Sequence, residues 1–554
     1  MKTIYLLLGL VLSSFLASAQ VSWQSVTQLQ SSSGEVSARS VATDGYGSVV
    51  TGSFTGTIRF GAFTLVSRGT SDLFVVRYDP SGRALWAVQF GQSPNNVPGY
   101  SQASASGNDI ALDAAGNAYL VGSFTGSITY PGGALQSYAS GFQAGLVVKL
   151  NGRGQVQWAQ RFGIQQFGCY GYAIATDATG TSYITGQSDY GNIEFGNKVY
   201  GPNSRRVLYV AAYRTGGEVA WATVSGNFSS YGASGSDVAL DGRGNCYVGG
   251  FFNNDMTLAG AALTTVGADS YLARFAAASG ALQWLKQGGG TGSPAANNNV
   301  RIASLSTDRQ GNVYVAGEFS GVTSLGGQPL LGNDAWQPDI FVARYASTGA
   351  VQWAKSTGTT AAEYSTQLTT NADGFSTLVG RRLNASFESK LLLHSFQPTG
   401  SLHYSDVIGT SGSCRSYGIT QDANGLLYIT GTLGGTATFG ATTLQTGTRT
   451  DGFVARFNLR QPTISTNPTF EVFPNPARGR IIARLTWGEA NMRLAGRATL
   501  TNALGRQVST QAVPASPAAH AQAIFDCSSL PLGLYILQFT TSDGASYSQS
   551  VEVQ

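Results

Sequence analysis

One ten-residue unit, Asp-x-x-Gly-Asn-x-Tyr-x-x-Gly, constrains this chain more than any other feature, because it keeps returning. It reads DAAGNAYLVG from Asp113, DATGTSYITG from Asp177, DGRGNCYVGG from Asp241, DRQGNVYVAG from Asp308 and DANGLLYITG from Asp422. The copy from Asp44 is one residue shorter. The copy from Asn371, NADGFSTLVG, has lost the leading Asp and the Tyr. The starts lie about 60 residues apart, the spacing of a fold built by repeating one supersecondary unit.

Each piece of the unit points to strand or turn. Asp accepts hydrogen bonds from backbone N–H groups two residues on, and Gly and Asn tolerate positive φ, so Asp-x-x-Gly-Asn reads as a tight hairpin turn. Alternating Tyr and Val suit a pleated strand. The Gly that ends the unit weakens a strand and marks a bulge or a close backbone approach. Each copy then runs through a Phe-Gly hairpin such as Phe60-Gly61. An alternating strand follows (DLFVVRY from Asp72, DSYLARF from Asp269, DIFVARY from Asp339, DGFVARF from Asp451). A Gly turn leads into a Trp strand centred on Trp86, Trp158, Trp221, Trp284 or Trp353. Seven units of four strands predict an all-β fold, a seven-bladed β-propeller. The seventh repeat stops at Phe457 without its Trp strand, while VSWQSVTQL after Gln20 places Trp23 like the missing piece. Residues 21–30 are therefore expected to complete the last blade, closing the propeller with the N-terminal strand.

The unit resembles the bacterial β-propeller repeats called SBBP repeats over about residues 40–458. That resemblance implies a fold and no single chemistry. At the N-terminus, Lys2, the short apolar run Ile4 to Leu16 and Ala17-Ser18-Ala19 read as a signal peptide over 1–19. At the C-terminus, Phe473-Pro474-Asn475-Pro476-Ala477, Leu504-Gly505-Arg506 and Leu530-Pro531-Leu532-Gly533-Leu534-Tyr535 resemble the type A sorting domain of the type IX secretion system of Bacteroidota. Its marker residues here are Phe473, Pro474, Asn475, Pro476, Gly505, Gly533 and Tyr535. The final strand, SVEVQ, lacks the basic residue that many members carry. Short strands with Gly and Pro turns independently suggest a small Ig-like β-sandwich there. The expected organisation is a signal peptide (1–19), a propeller (20–458), a linker (459–467) and a sorting domain (468–554). The resemblance implies the type IX secretion machinery as a partner and an address outside the cell, released or on the outer-membrane surface.

The remaining residues offer little catalytic chemistry. The three histidines, His394, His403 and His520, fit neither a Ser-His-Asp triad nor a His-based metal site. The four cysteines, Cys169, Cys246, Cys414 and Cys527, are far apart and form no CxxC spacing. A net charge of +4 is too weak and scattered to indicate nucleic acid. No segment after the signal peptide is long and apolar enough to span a membrane. The repeat Asp residues read as turn residues, the recurring Trp as packing between blades, and Glu318 as a surface acid at a place where other repeats have none. The expectation is thus no catalytic residue, no metal and no cofactor. The connections entering each repeat differ from one another and are rich in Gly, Ser, Asn and Tyr, as adaptable recognition loops are. They make Tyr100, Tyr170, Tyr172, Tyr231, Asn298, Tyr364 and Tyr417 the candidate binding residues. The favoured expectation is a non-enzymatic surface or secreted protein that binds a glycan or a protein. The alternatives are an extracellular polysaccharide hydrolase or lyase using carboxylates at the channel mouth, and a structural envelope protein.

Overall fold

The computed structural model describes residues 20–92, 103–138, 141–227, 232–289, 299–333, 336–359, 361–409, 411–460, 469–486, 496–513, 520–541 and 546–554. The expected signal peptide and most of the expected linker fall outside them. Among the described residues every regular element is a strand. The chain divides between Leu459 and Arg460 into two compact units.

In the first unit each repeat builds one antiparallel group of four strands, seven groups in all, numbered here as sheets one to seven. The innermost strands in chain order are Val36–Thr43, Ser104–Leu112, Cys169–Thr176, Ala233–Leu240, Val300–Thr307, Glu363–Thr370 and Ser411–Gln421. Each packs beside the innermost strand of the next sheet, and Ser411–Gln421 packs beside Val36–Thr43. Sheet seven has Leu427–Phe439 and Asp451–Arg460 as its second and third strands, and its fourth is the N-terminal strand Gln20–Leu29.

The turn between first and second strands explains the repeat's spelling. Asp113 Oδ1 accepts the N–H groups of Ala115 and Asn117, each at 2.9 Å. Its Oδ2 accepts the Asn117 amide at 2.7 Å and the Tyr119 hydroxyl at 3.1 Å. Asp241 and Asp308 hold the Asn four residues on and the Tyr six residues on in the same way. Asp, Asn and Tyr are thus one hydrogen-bonded cluster, with Gly116 supplying the left-handed backbone at φ 76°.

The Trp strands join one sheet to the next. Trp86, Trp158, Trp221, Trp284 and Trp353 donate their indole N–H to the carbonyls of Gly152, Thr215, Ala277, Ser347 and Pro398, at 2.8 to 3.1 Å. All five acceptors belong to the turn before the fourth strand of the following sheet. The turn glycine lies under the indole: a Cβ on Gly280 would come 2.5 Å from Trp221. Third-strand arginines reach the same turns. Arg274 bonds the Ser347 carbonyl and Arg344 that of Pro398. Arg456 of sheet seven bonds the Pro80 carbonyl of sheet one.

Trp23 departs from this pattern. In sheets one and four, Gln89 and Gln287 stand three residues after the Trp and donate to Asp72 and Asp269. Gln28 makes that bond to Asp451, at 2.7 Å, so the Trp position in the N-terminal strand is Ser25, which accepts from Arg456. Trp23 lies two residues earlier and packs on Phe439 and Phe457 of its own sheet, with centroids at 5.0 and 4.7 Å. The strand was expected here; the role given to Trp23 was not, because the sequence match followed the indole and the register follows Gln28.

In the second unit Thr469–Phe473, Arg480–Thr486 and His520–Asp526 form one antiparallel sheet. Gln507–Val513, Gly496–Asn502, Gly533–Thr541 and Ser546–Val553 form another. The two share a core that includes Val472, Ile481, Leu500, Phe525, Leu537, Phe539 and Val551. The Phe473–Ala477 motif pins the last strand: Asn475 exchanges hydrogen bonds with Ser550 and Glu552, each at 3.0 Å, and Ala477 N–H donates to the Glu552 carbonyl. Gly505 supplies a left-handed turn at φ 79°, and the Tyr535 hydroxyl donates to the Pro531 carbonyl at 2.8 Å.

Candidate functional site

Every innermost strand carries a β-bulge at the same place. The residues left unpaired are Arg39, Asn108, Tyr172, Ser236, Ala303, Thr366 and Tyr417, one per sheet. A bulge turns a side chain out of the ladder and frees backbone groups, and bulges concentrate near binding and active sites. All seven bulged residues, with neighbours such as Asp109, Asp237 and Gln367, line a single cavity of about 100 Å³. One small space is therefore bordered by every sheet of the first unit.

The freed N–H groups find side-chain acceptors. Asp109 takes Ile110 of its own sheet at 2.9 Å, Ile174 of the next at 2.8 Å, and the Ser40 hydroxyl at 2.7 Å. Asp237 likewise takes Val238, Leu305 and the Ser304 hydroxyl, each at 2.7 Å. Ser304 then accepts Leu368 N–H, and Gln367 accepts Ile419 N–H. Burial pushes the Asp109 carboxyl up to about 6 and the Asp237 carboxyl up to about 7, the second also repelled by the first, while the hydrogen bonds pull both down. With three donors each, both carboxyls are occupied by the frame of the cavity.

Tyr170, Tyr172, Tyr364 and Tyr417 stand on the innermost strands, not in the connecting loops where the sequence placed them. Those strands begin earlier than the Gly- and Ser-rich composition suggests, and Gly171, Gly412 and Gly418 on them lie where an added Cβ would strike a neighbouring strand. Tyr172 and Tyr417 are bulged residues. Tyr170 and Tyr364 both lie two residues before a bulge, where Arg301 and Arg415 stand in sheets five and seven. Tyr170 and Tyr172 stack with centroids 6.2 Å apart. Tyr100, Tyr231 and Asn298 lie outside the described residues.

Across the ladder Arg301 faces Glu318, and Tyr364 faces Arg381. Arg301 lies over the Phe251 ring at 4.5 Å and Arg381 over the Tyr364 ring at 4.3 Å. Glu318 is part-buried, not the solvated surface acid expected, because neighbouring side chains cover it. That burial raises its carboxyl to about 7 against the pull of Arg301 and Arg381. Between sheets seven and one a cleft of about 670 Å³ is lined by Glu35, Ser53, Arg415, Tyr417, Thr432 and Arg449 among others. Tyr417 borders both this cleft and the central cavity.

Asp109, Asp237 and the arginines Arg39, Arg301, Arg381 and Arg415 were missed by the sequence reading. The signal for the aspartates was present: GNDIALD from Gly107 and GSDVALD from Gly235 are twins, each with an extra Asp four residues before the turn Asp. Cys169 and Cys414 share one place with Val36, Ala105, Ala233, Val300 and Glu363, all buried, and the Cβ of each cysteine lies beside a positive-φ glycine, Gly163 or Gly409. All four cysteines are free and buried. Among the described residues no group of three or more His, Cys, Asp or Glu could hold a metal ion.

Residues 471–554 match the family model described as the secretion system C-terminal sorting domain. The C-terminal unit is thus a type IX sorting domain, and the protein is secreted or attached to the outer-membrane surface. No described helix is long and apolar enough to cross a membrane. No curated protein matches the chain. Among solved structures, a protein of unknown function from Dyadobacter fermentans is 11% identical with a TM-score of 0.38, covering 79% of this chain and 99% of its own. Sqt1 from Chaetomium thermophilum is 9% identical with a TM-score of 0.36, covering 80% and 100%. Likenesses this weak decide neither fold nor function.

Proposed function

We propose that residues 20–459 are a seven-bladed β-propeller of the SBBP type, closed by the N-terminal strand, and that the protein is an exported, non-enzymatic glycan-binding protein. The observation that carries the fold is the single cavity bordered by bulges from all seven sheets. The bond from Arg456 of sheet seven to Pro80 of sheet one supports ring closure. Binding is assigned to the mouth formed by the bulged residues and the layer before them, because Tyr170, Tyr172, Tyr364 and Tyr417 gather there with arginine and hydroxyl groups. Tyrosine supplies rigid contact area to a sugar face, and hydroxyl and amide groups supply hydrogen bonds. The two central carboxyls each hold three structural donors that tie sheets together, which argues against their use as an acid–base pair.

A hydrolase reading keeps one observation, the raised carboxyl of Glu318 beside two arginines. A glycan array on the purified protein, with product sizes followed over hours, separates the two. Binding without shortening, weakened by Tyr417→Ala, is the expected result. Shortened products that vanish with Glu318→Gln would replace the binding reading with catalysis.

A further inference from the structure

The charge of the mouth narrows its ligand. Arg39, Arg301, Arg381 and Arg415 come from sheets one, five, six and seven and share the two layers that border the mouth. Among the described residues none of the four is in an ion pair, whereas Arg77, Arg83, Arg344, Arg382 and Lys390 each have an acidic partner within 4.0 Å. All four guanidinium groups are nevertheless held. Arg301 and Arg381 stack on Phe251 and Tyr364, Arg415 donates through Nε to Ser389 at 3.1 Å, and Arg39 donates to Asn108 at 3.2 Å. A guanidinium fixed through its plane or one nitrogen keeps other N–H groups for a planar anion at little ordering cost.

The acids nearby do not cancel this charge. Asp109 and Asp237 each hold three structural donors, Glu363 is buried against Arg382 at 2.7 Å, Asp189 lies beside Tyr170 in sheet three, which carries none of the four arginines, and Glu318 is one carboxyl between two of them. Glu35 lines the adjoining cleft, where Arg415 and Arg449 outnumber it. Exposed ring surface on Tyr172 and half-buried rings at Tyr364 and Tyr417 stand among these cations. Stacking rings beside fixed guanidiniums suit a sugar that bears its own negative charge.

We propose that the mouth binds an anionic polysaccharide, one carrying carboxylates or sulfates; this rests on the glycan-binding reading above. The test is calorimetric titration of the full secreted chain with polygalacturonate, dextran sulfate, neutral dextran and a thymidine oligonucleotide. The expected result is binding to one or both acidic polymers at least about 10-fold tighter than to dextran, declining as salt rises. The acidic polymer bound more tightly identifies carboxylate or sulfate as the group read. Arg381→Gln and Arg301→Gln should each weaken it about 10-fold, with Arg381→Lys in between, and Arg153→Gln on a distant exposed turn should change nothing. Equal affinity for neutral dextran would overturn the anionic inference and leave glycan binding standing. Oligonucleotide binding as tight as that of the acidic polymers, or indifference to both arginine changes, would also overturn it. Silence toward every sugar would remove both readings.

Discussion

Two buried titratable side chains give the first unit opposing responses to pH. His394 is buried in sheet six with neither ring nitrogen hydrogen-bonded among the described groups, and burial lowers it to about 4. Its unfolded value is 6.5, so the stability that its neutral form allows is present above pH 6.5 and is lost as pH falls toward 4. His394→Leu should therefore raise stability at pH 5 by about 2 kcal/mol relative to pH 8, read from denaturant midpoints. Asp237 runs the other way. Its folded value of about 7 lies above 3.8, so its contribution is full below pH 3.8 and is lost as pH rises through 7. Between pH 8 and 7, before His394 takes up much of a proton in the unfolded chain, acidification should raise the melting temperature. Asp237→Asn should reduce that slope, and adding Glu318→Gln, whose carboxyl titrates in the same window, should flatten it. An unchanged slope in the double variant would show that neither carboxyl is held as described.

At the scale of elements, the repeat was legible wherever local chemistry decided the conformation. The Asp-x-x-Gly-Asn turn, the alternating strands and the Trp positions follow from hydrogen-bonding geometry and pleat, and the structure adds that Asp, Asn and Tyr bond one another. The bulges were not legible. Arg39, Asn108, Tyr172, Ser236, Ala303, Thr366 and Tyr417 share no chemistry, because a bulged side chain answers to the cavity and not to the ladder. Four tyrosines were found for their composition but assigned to loops, and the arginines beside them went unseen because charge alone on one sequence has no periodicity. The Trp register makes its own prediction. Gly280 and Gly82 occupy equivalent turns with φ of 71° and 87°, but Gly280 lies under Trp221 while Gly82 has open space, since Ser25 replaces the indole. Gly82→Ala should cost about 1 kcal/mol from backbone strain alone, and Gly280→Ala about 2–4 kcal/mol as overpacking adds to it. Equal costs in chemical denaturation would mean that the indole does not cover that turn.

For the whole molecule, the N-terminal strand is the only described segment joining sheet seven to the start of the chain by a ladder. Removing residues 20–29 strips the covering strand from Asp451–Arg460 and exposes Phe439 and Phe457 beneath Trp23. The truncated protein is expected to melt at lower temperature and to self-associate on size exclusion; unchanged melting would mean that the strand is dispensable for stability. The central claim, that the mouth bordered by all seven innermost strands is where this exported protein meets its ligand, is tested most directly by hydrogen exchange with and without polygalacturonate. The account predicts slowed exchange at 170–172, 364–367 and 415–418, with the Asp turns at 113–117 and 308–312 unaffected. Protection confined to those turns, or to residues 469–554, would contradict it.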